Sequence, residues 1–317
     1  MPAVRGAASA DGTAAFRDRN RRKLAPHHFR STAGGLTLSS LGLGSYLGRP
    51  DGPTDLQVES AATLCLRSGR VNVLDTAINY RFQRAERSFG RAIARAVDAG
   101  TVDREMVFVS TKAGYLAPDA ESPIPIDRWV EETLVRPGIL APEEIVDDCH
   151  SMAPEFLSDQ VERSRRNLGL ETIDLVYLHN APDTQLPIVG REEFLRRLSV
   201  AFERLEHLRE EGKLVHYGLA TWDSLRVPTG HPAHLSLEDA VALARDVGGA
   251  SHGFGFVQFP FNLGMPEPFS LKNQVVRGTK RSLFDAAREL GLGCFTSIPL
   301  VQGQLARDGP AHSPLTR

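Results

Sequence analysis

The strongest constraint on this chain is an alternation of short apolar runs with longer amphipathic ones. The apolar runs fall at residues 36–45, 72–75, 106–110, 174–178, 214–220, 255–258 and 293–297. The stretches between them, at 55–68, 86–97, 154–168, 192–211, 237–246 and 276–290, repeat their apolar residues at helical spacing. In 192–211, Phe194, Leu198, Ala201, Leu205 and Leu208 share one side. Strands that are apolar throughout need cover on both faces, which predicts a parallel sheet with helices outside it. Seven such strands with no reversal of pattern predict an α/β fold of the (β/α)8 TIM-barrel type rather than a doubly wound sheet. The nearest phosphate-loop candidate, Gly42 to Gly48, has the spacing GxGxxxG and runs into Arg49-Pro50-Asp51-Gly52-Pro53, where a dinucleotide fingerprint needs a helix N-terminus.

Composition closes off several function classes. With 37 basic and 39 acidic residues the net charge is −2, which gives no electrostatic footprint for nucleic acid. The longest uncharged stretch, 247–266, holds five glycines and several polar residues and does not read as a lipid-facing helix. Residues 1–10 lack the apolar core of a secretory signal. Cys65, Cys149 and Cys294 are scattered and form no Cys-x-x-Cys pair, which fits a reducing, cytoplasmic setting. The first thirty residues carry seven basic side chains against two acids, and only Ser9 speaks for a transit peptide. They are expected to form a mobile basic tail, with residues 31–317 as a single barrel domain. Two irregularities interrupt that domain. A proline-rich stretch spans 112–153, and no eighth strand follows Ser297.

In a barrel of this type the reactive groups lie at the C-terminal ends of the strands. Those ends present Asp75 (with Tyr80 five residues on), Lys112, His179, Thr221 and Gln258. The set makes chemical sense together. A tyrosine, with an ordinary pKa of about 10, becomes a usable acid beside a cationic lysine, and an aspartate can hold that lysine in place. A histidine can donate a hydrogen bond to a substrate oxygen. A general acid beside an oxygen that gains charge suits a carbonyl receiving hydride. The sequence Asp147-Asp148-Cys149-His150 reads as a polar loop, because neighbouring ligands on one loop rarely make a tetrahedral metal site and no second pair follows. No metal is therefore expected. Trp222, just after the fifth strand, is a candidate pocket wall.

At these residues the chain resembles the aldo-keto reductase family over about residues 29–305. Residues 72–80, NVLDTAINY, resemble its Asp-x-Ala-x-x-Tyr signature, and 85–92, AERSFGRA, the helix start after it. Ser110-Thr111-Lys112 resembles the lysine strand, DLVYLH at 174–179 the histidine strand, and SIPLVQG at 297–303 the loop after the seventh strand. The resemblance implies a barrel that binds NADPH and reversibly reduces an aldehyde or ketone. Tyr80 would be the proton donor, Lys112 and Asp75 its tuning pair, and His179 the group that orients the carbonyl. It also implies that Gly44, Ser45, Tyr46, Asp75, Thr221, Gln258, Ser297 and Leu300 contact the cofactor. The chain departs from the pattern in three places. Ala220-Thr221 replaces a Ser-Asn pair, Ser297 stands where a ring usually stacks, and the segment that binds the adenosine 2′-phosphate is missing. The missing end admits a fragment of a longer chain, a partner chain that completes the open edge, or a shortened relative. The first agrees best with barrel closure. Two other functions stay open: a binding or regulatory barrel with little turnover, and non-redox acid–base chemistry through Tyr80.

Overall fold

A computed structural model describes residues 3–122 and 124–304. Helix α1 (Ala10–Asn20) and a hairpin of β1 (Phe29–Ser31) with β2 (Thr37–Ser39) come first. The barrel units follow as β3 (Leu43–Gly44), α2 (Gly52–Ser68), β4 (Val73–Asp75), α3 (Arg84–Asp98), β5 (Phe108–Ala113), α4 (Ile126–Val130), α5 (Pro154–Leu168), β6 (Ile173–His179), α6 (Ala181–Val189), α7 (Arg191–Glu210), β7 (Leu214–Ala220), α8 (Leu237–Gly248) and β8 (Phe254–Pro260). The last elements are α9 (Glu267–Ser270), the hairpin strands β9 (Gln274–Val276) and β10 (Thr279–Arg281), α10 (Leu283–Glu289) and β11 (Gly293–Ser297). Among the described residues seven parallel strands form one curled sheet in the order β3-β4-β5-β6-β7-β8-β11, the first seven strands of a (β/α)8-type barrel. Inside it, Val73, Phe108, Leu175, Tyr177 and Phe256 pack with Leu36 and Leu38 from the hairpin side, while a larger core lies between the strands and the helices. Among the described residues no helix is long and apolar enough to cross a membrane.

The expected mobile tail is instead part of the barrel floor. Ser9 Oγ caps α1 by accepting from Gly12 N at 2.9 Å, and Phe16 is buried against the ring of Phe29. Val4 pairs with Leu170, and Ala8 N donates to Asp174 Oδ1 at 2.6 Å. The same carboxylate accepts from Val109 N at 2.7 Å and from the buried Arg104 at 2.8 Å. Only Gly12, Thr13 and Phe16 of α1 are buried, so the segment carries no apolar stripe to announce it.

Four sequence-based expectations also change. Residues 36–45 divide into β2 and β3, because the chain turns after Ser39 and returns to the barrel at Leu43. A helix does follow the glycine-rich stretch, since Asp51 Oδ1 accepts from Thr54 N and Pro53 sits in the first turn of α2. The predicted helix 276–290 begins only at Leu283. Arg277 and Gly278, both left-handed, close the β9–β10 hairpin, and Ser282 Oγ accepts from Asp285 N to start α10. The stretch 112–153 is not one loop. It contains α4, and Trp129, Leu134 and Leu140 form a small core with Ala153 and Phe156.

Candidate active site

Alternation along the strands sorts the site. On β5, Ser110 and Lys112 point into the barrel, while Thr111 points outward and donates to Glu86 Oε1 of α3 at 2.6 Å. Asp75, at the end of β4, is the hub. Its Oδ1 accepts from Ser110 Oγ at 2.7 Å and from Gln258 Nε2, across the barrel on β8, at 3.0 Å. Its Oδ2 accepts from Lys112 Nζ at 2.8 Å, and Lys112 also donates to the Thr76 carbonyl at 2.8 Å. Burial alone would pull the Lys112 ammonium down. Asp75 and the Tyr80 phenol outweigh it and raise it above its ordinary value, so the buried lysine stays cationic.

Tyr80 stands in the turn after β4. Its ring meets Tyr46 edge-on at 5.0 Å and His179 at 5.7 Å, and Lys112 Nζ lies 4.7 Å from the ring centre. Burial raises the phenol above its ordinary range, and Lys112 opposes that rise without reversing it. Lys112 pulls the phenol down, as expected, but desolvation is the larger effect and the phenol stays protonated. His179 is buried, and burial first, then Lys112 and His150, holds its pKa well below the ordinary histidine range. The imidazole is therefore neutral. Its Nδ1 is buried without a partner, and a buried orphan N–H is rarer than an orphan acceptor. The tautomer with the proton on Nε2 leaves the less costly orphan, an acceptor, at Nδ1, and frees an N–H for donation into the mouth.

The turn that carries Tyr80 continues through three residues in the left-handed region, Arg81 (φ 48°), Phe82 (φ 54°) and Gln83 (φ 72°). None is a glycine, so the turn is strained and something must hold it. Arg81 donates to Asp55 Oδ1 of α2 at 2.6 Å and to Ser88 Oγ at 3.3 Å, and Gln83 donates to the Ala117 carbonyl at 2.7 Å. Nothing in the sequence pattern marks this turn.

The expected cofactor residues lie around the same mouth. Ser45 Oγ donates to Thr76 Oγ1 at 2.7 Å, Tyr46 is half-exposed beside Tyr80, and a Cβ at Gly44 would meet open space. Thr221 is buried, and its Oγ1 has no hydrogen-bond partner. Ser297 and Leu300 lie at the β11 edge, and Leu300 is exposed. Phe295, two residues before Ser297, packs inside on Phe108 and Phe256. Trp222 is half-exposed at the end of β7, and its loop is pinned by Asp183, which accepts from the backbone N–H groups of Trp222, Asp223 and Ser224 at 2.7–2.9 Å. Among the described residues no cluster of His, Cys, Asp or Glu could hold a metal ion. His150, expected in a polar loop, is fully buried beside His179.

A family model described as the aldo/keto reductase family matches residues 40–228. The NADH-specific methylglyoxal reductase of Escherichia coli (strain K12) is 28% identical over 198 residues, 60% of this chain and 50% of the relative. The chain thus spans about half the length of that curated relative. Among solved structures, the holo form of an aldo-keto reductase from Bacillus halodurans superposes with a TM-score of 0.54 at 18% identity, covering 88% of this chain and 67% of that one. An aldo/keto reductase from Klebsiella pneumoniae in complex with NADP and acetate gives 0.52 at 18%, covering 90% and 73%. A glycerol dehydrogenase from Gluconobacter oxydans gives 0.52 at 19%, covering 90% and 65%. At these identities the structural likenesses speak for the fold alone.

Proposed function

The chain belongs to the aldo/keto reductase family, and on that premise we propose that it reduces an aldehyde or ketone to the alcohol with a nicotinamide dinucleotide. The observation that carries the reading is the convergence of Asp75, Lys112, Tyr80 and His179 at one barrel mouth. The residues fit the nicotinamide end of such a cofactor. The orphaned Thr221 hydroxyl offers a carboxamide a partner, Gln258 stands beside it, and Gly44 leaves room for a close approach. When bound, the dinucleotide supplies the hydride.

The chain's own groups do the rest. His179 Nε2–H donates to the carbonyl oxygen and fixes its direction. Tyr80 gives its phenolic proton to the same oxygen as charge develops there. Lys112, kept cationic by Asp75, stabilises the phenolate left behind. Ser110 and Gln258 hold Asp75 in place for that role. The preference expected from the family is NADPH, whereas the curated relative is NADH-specific, so both cofactors belong in the assay.

The test is the Tyr80→Phe variant, titrated with NADPH and NADH by nicotinamide fluorescence and assayed with small aldehydes and ketones. Carbonyl reduction should fall by about 10²–10⁴-fold, the range of general acid catalysis, with cofactor affinity nearly unchanged. A variant that keeps most of its rate removes Tyr80 as the donor. An intact protein that binds neither cofactor removes the reductase reading.

A further inference from the structure

The stretch between β5 and α5 leaves and returns at one point. Leu116 N donates to the Cys149 carbonyl at 2.7 Å and Ser151 N to the Gly114 carbonyl at 2.9 Å. Within this stem, Val146 and His150 pair across a tight turn in which Asp147 and Asp148 are both left-handed, with φ of 53° and 51°. The turn aims the His150 ring into the barrel wall, where it is fully buried. Gly114 makes the space, since a Cβ there would collide with His150 Nε2.

The ring's two nitrogens have assigned roles. His150 Nε2 lies 2.9 Å from the His179 carbonyl oxygen, which can only accept, so Nε2 carries the proton. Nδ1 then accepts from Gln185 Nε2 at 2.9 Å. Burial lowers the His150 pKa to about 4, which keeps the ring neutral and this tautomer in place. The bond fills a gap in the ladder. Strand β5 ends at Ala113, opposite Leu178, so it has no residue left to pair with His179. The Tyr115 ring is wedged edge-on between the two imidazoles, 5.1 Å from each.

We propose that His150 is a positioning residue for His179. It replaces the missing strand partner of the His179 carbonyl and, through Tyr115, sets the plane of the His179 imidazole, so that Nε2–H is the nitrogen presented to a carbonyl substrate. This rests on the reductase reading above for its consequence in turnover, but not for its effect on the His179 ring. It also ties the inserted stretch to the chemistry, because movement of the stem moves His150.

The experiment uses the full chain with ¹⁵N-labelled histidine. Long-range ¹H–¹⁵N spectra report the tautomer of His179, assigned by comparison with His179→Gln, in wild type, His150→Gln and His150→Phe. The wild type should show His179 with the proton on Nε2. His150→Phe should give mixed tautomers, a kcat for carbonyl reduction lowered at least tenfold, and cofactor affinity within twofold. His150→Gln, whose amide can reach the same carbonyl, should restore most of both. Should His150→Phe fail to fold, Gln185→Leu removes the donor to Nδ1 and should move the His179 spectrum the same way by a smaller amount. An unchanged His179 tautomer in the folded variants overturns the proposal, whether or not the protein turns over. A changed tautomer with no carbonyl reduction by the wild type overturns the reductase reading and leaves the positioning role standing.

Discussion

The clamp on the Tyr80 turn makes a quantitative prediction. Asp55→Ala removes the partner of Arg81, whose side chain is 2% exposed, while Asp55 itself is 11% exposed. Breaking a buried ion pair by deleting one member costs about 3–5 kcal/mol, because the remaining charge stays buried and uncompensated. The second bond lost, from Arg84 Nε at 2.9 Å, adds little, because Arg84 reaches solvent. Each of the three left-handed residues held by the clamp costs about 1–3 kcal/mol. Part of the loss should therefore appear as local opening of the turn rather than as global unfolding. Urea unfolding measures the global part, and amide hydrogen exchange over residues 80–85 measures the local part. Carbonyl reduction should fall with the local opening, since Tyr80 sits on the same turn. Glu59→Ala, one turn further along α2, is the control. Its partners Arg91 and Arg95 reach solvent, so the lost pairs contribute about 1 kcal/mol or less. The double substitution Asp55→Leu with Arg81→Met should recover most of the stability by removing both charges. A global loss under about 1 kcal/mol in Asp55→Ala, with exchange at Tyr80 to Ala85 unchanged, would refute the clamp.

Other expectations follow from the same geometry. Asp174→Ala leaves the buried Arg104 guanidinium and two backbone donors without their acceptor, so stability should fall by about 3–5 kcal/mol and limited proteolysis should cut before residue 30. Thr221→Val should leave the unfolding midpoint unchanged or slightly raised, because the hydroxyl it removes has no partner, while cofactor affinity drops roughly three- to tenfold. His216, half-buried and near Arg209, has its pKa lowered from 6.5 to about 4, chiefly by desolvation. The unfolded chain therefore binds the proton first: stability is full above pH 6.5 and declines as pH falls toward 4, by on the order of 3 kcal/mol in all. Urea midpoints at pH 7.5 and 5 should converge in His216→Gln relative to wild type.

The parts of the site visible in the sequence are those that strand alternation dictates. Asp75, Lys112, His179 and Gln258 each fall at or next to the end of an apolar run, and the barrel then brings every such end to one mouth. What stayed hidden depends on partners far along the chain. His150 looks polar because its neighbours Asp147 and Asp148 are, and only the close approach of Gly114 gives its ring a buried place. The Arg81–Gln83 turn has no glycine to advertise its backbone, and the aspartate that holds it is 26 residues earlier. Helix α1 buries too few apolar residues for a periodic signal, so its charge was the only thing to read. The Tyr80 phenol shows the limit of pairwise reasoning. Lysine beside tyrosine is legible, but the desolvation that outweighs it is a property of the packed mouth.

The barrel floor has a further consequence, for the order in which the chain is made. Ala8 and its acceptor Asp174 are 166 residues apart. At about 5–20 residues per second, the ribosome delivers that acceptor roughly 8–33 s after Ala8. Phe29, Asn72 and Glu105, which contact this segment, emerge within that interval, but Ala8 stays without its acceptor and Arg104 emerges before the carboxylate that will neutralise it. The segment that is synthesised first is the one fully anchored late.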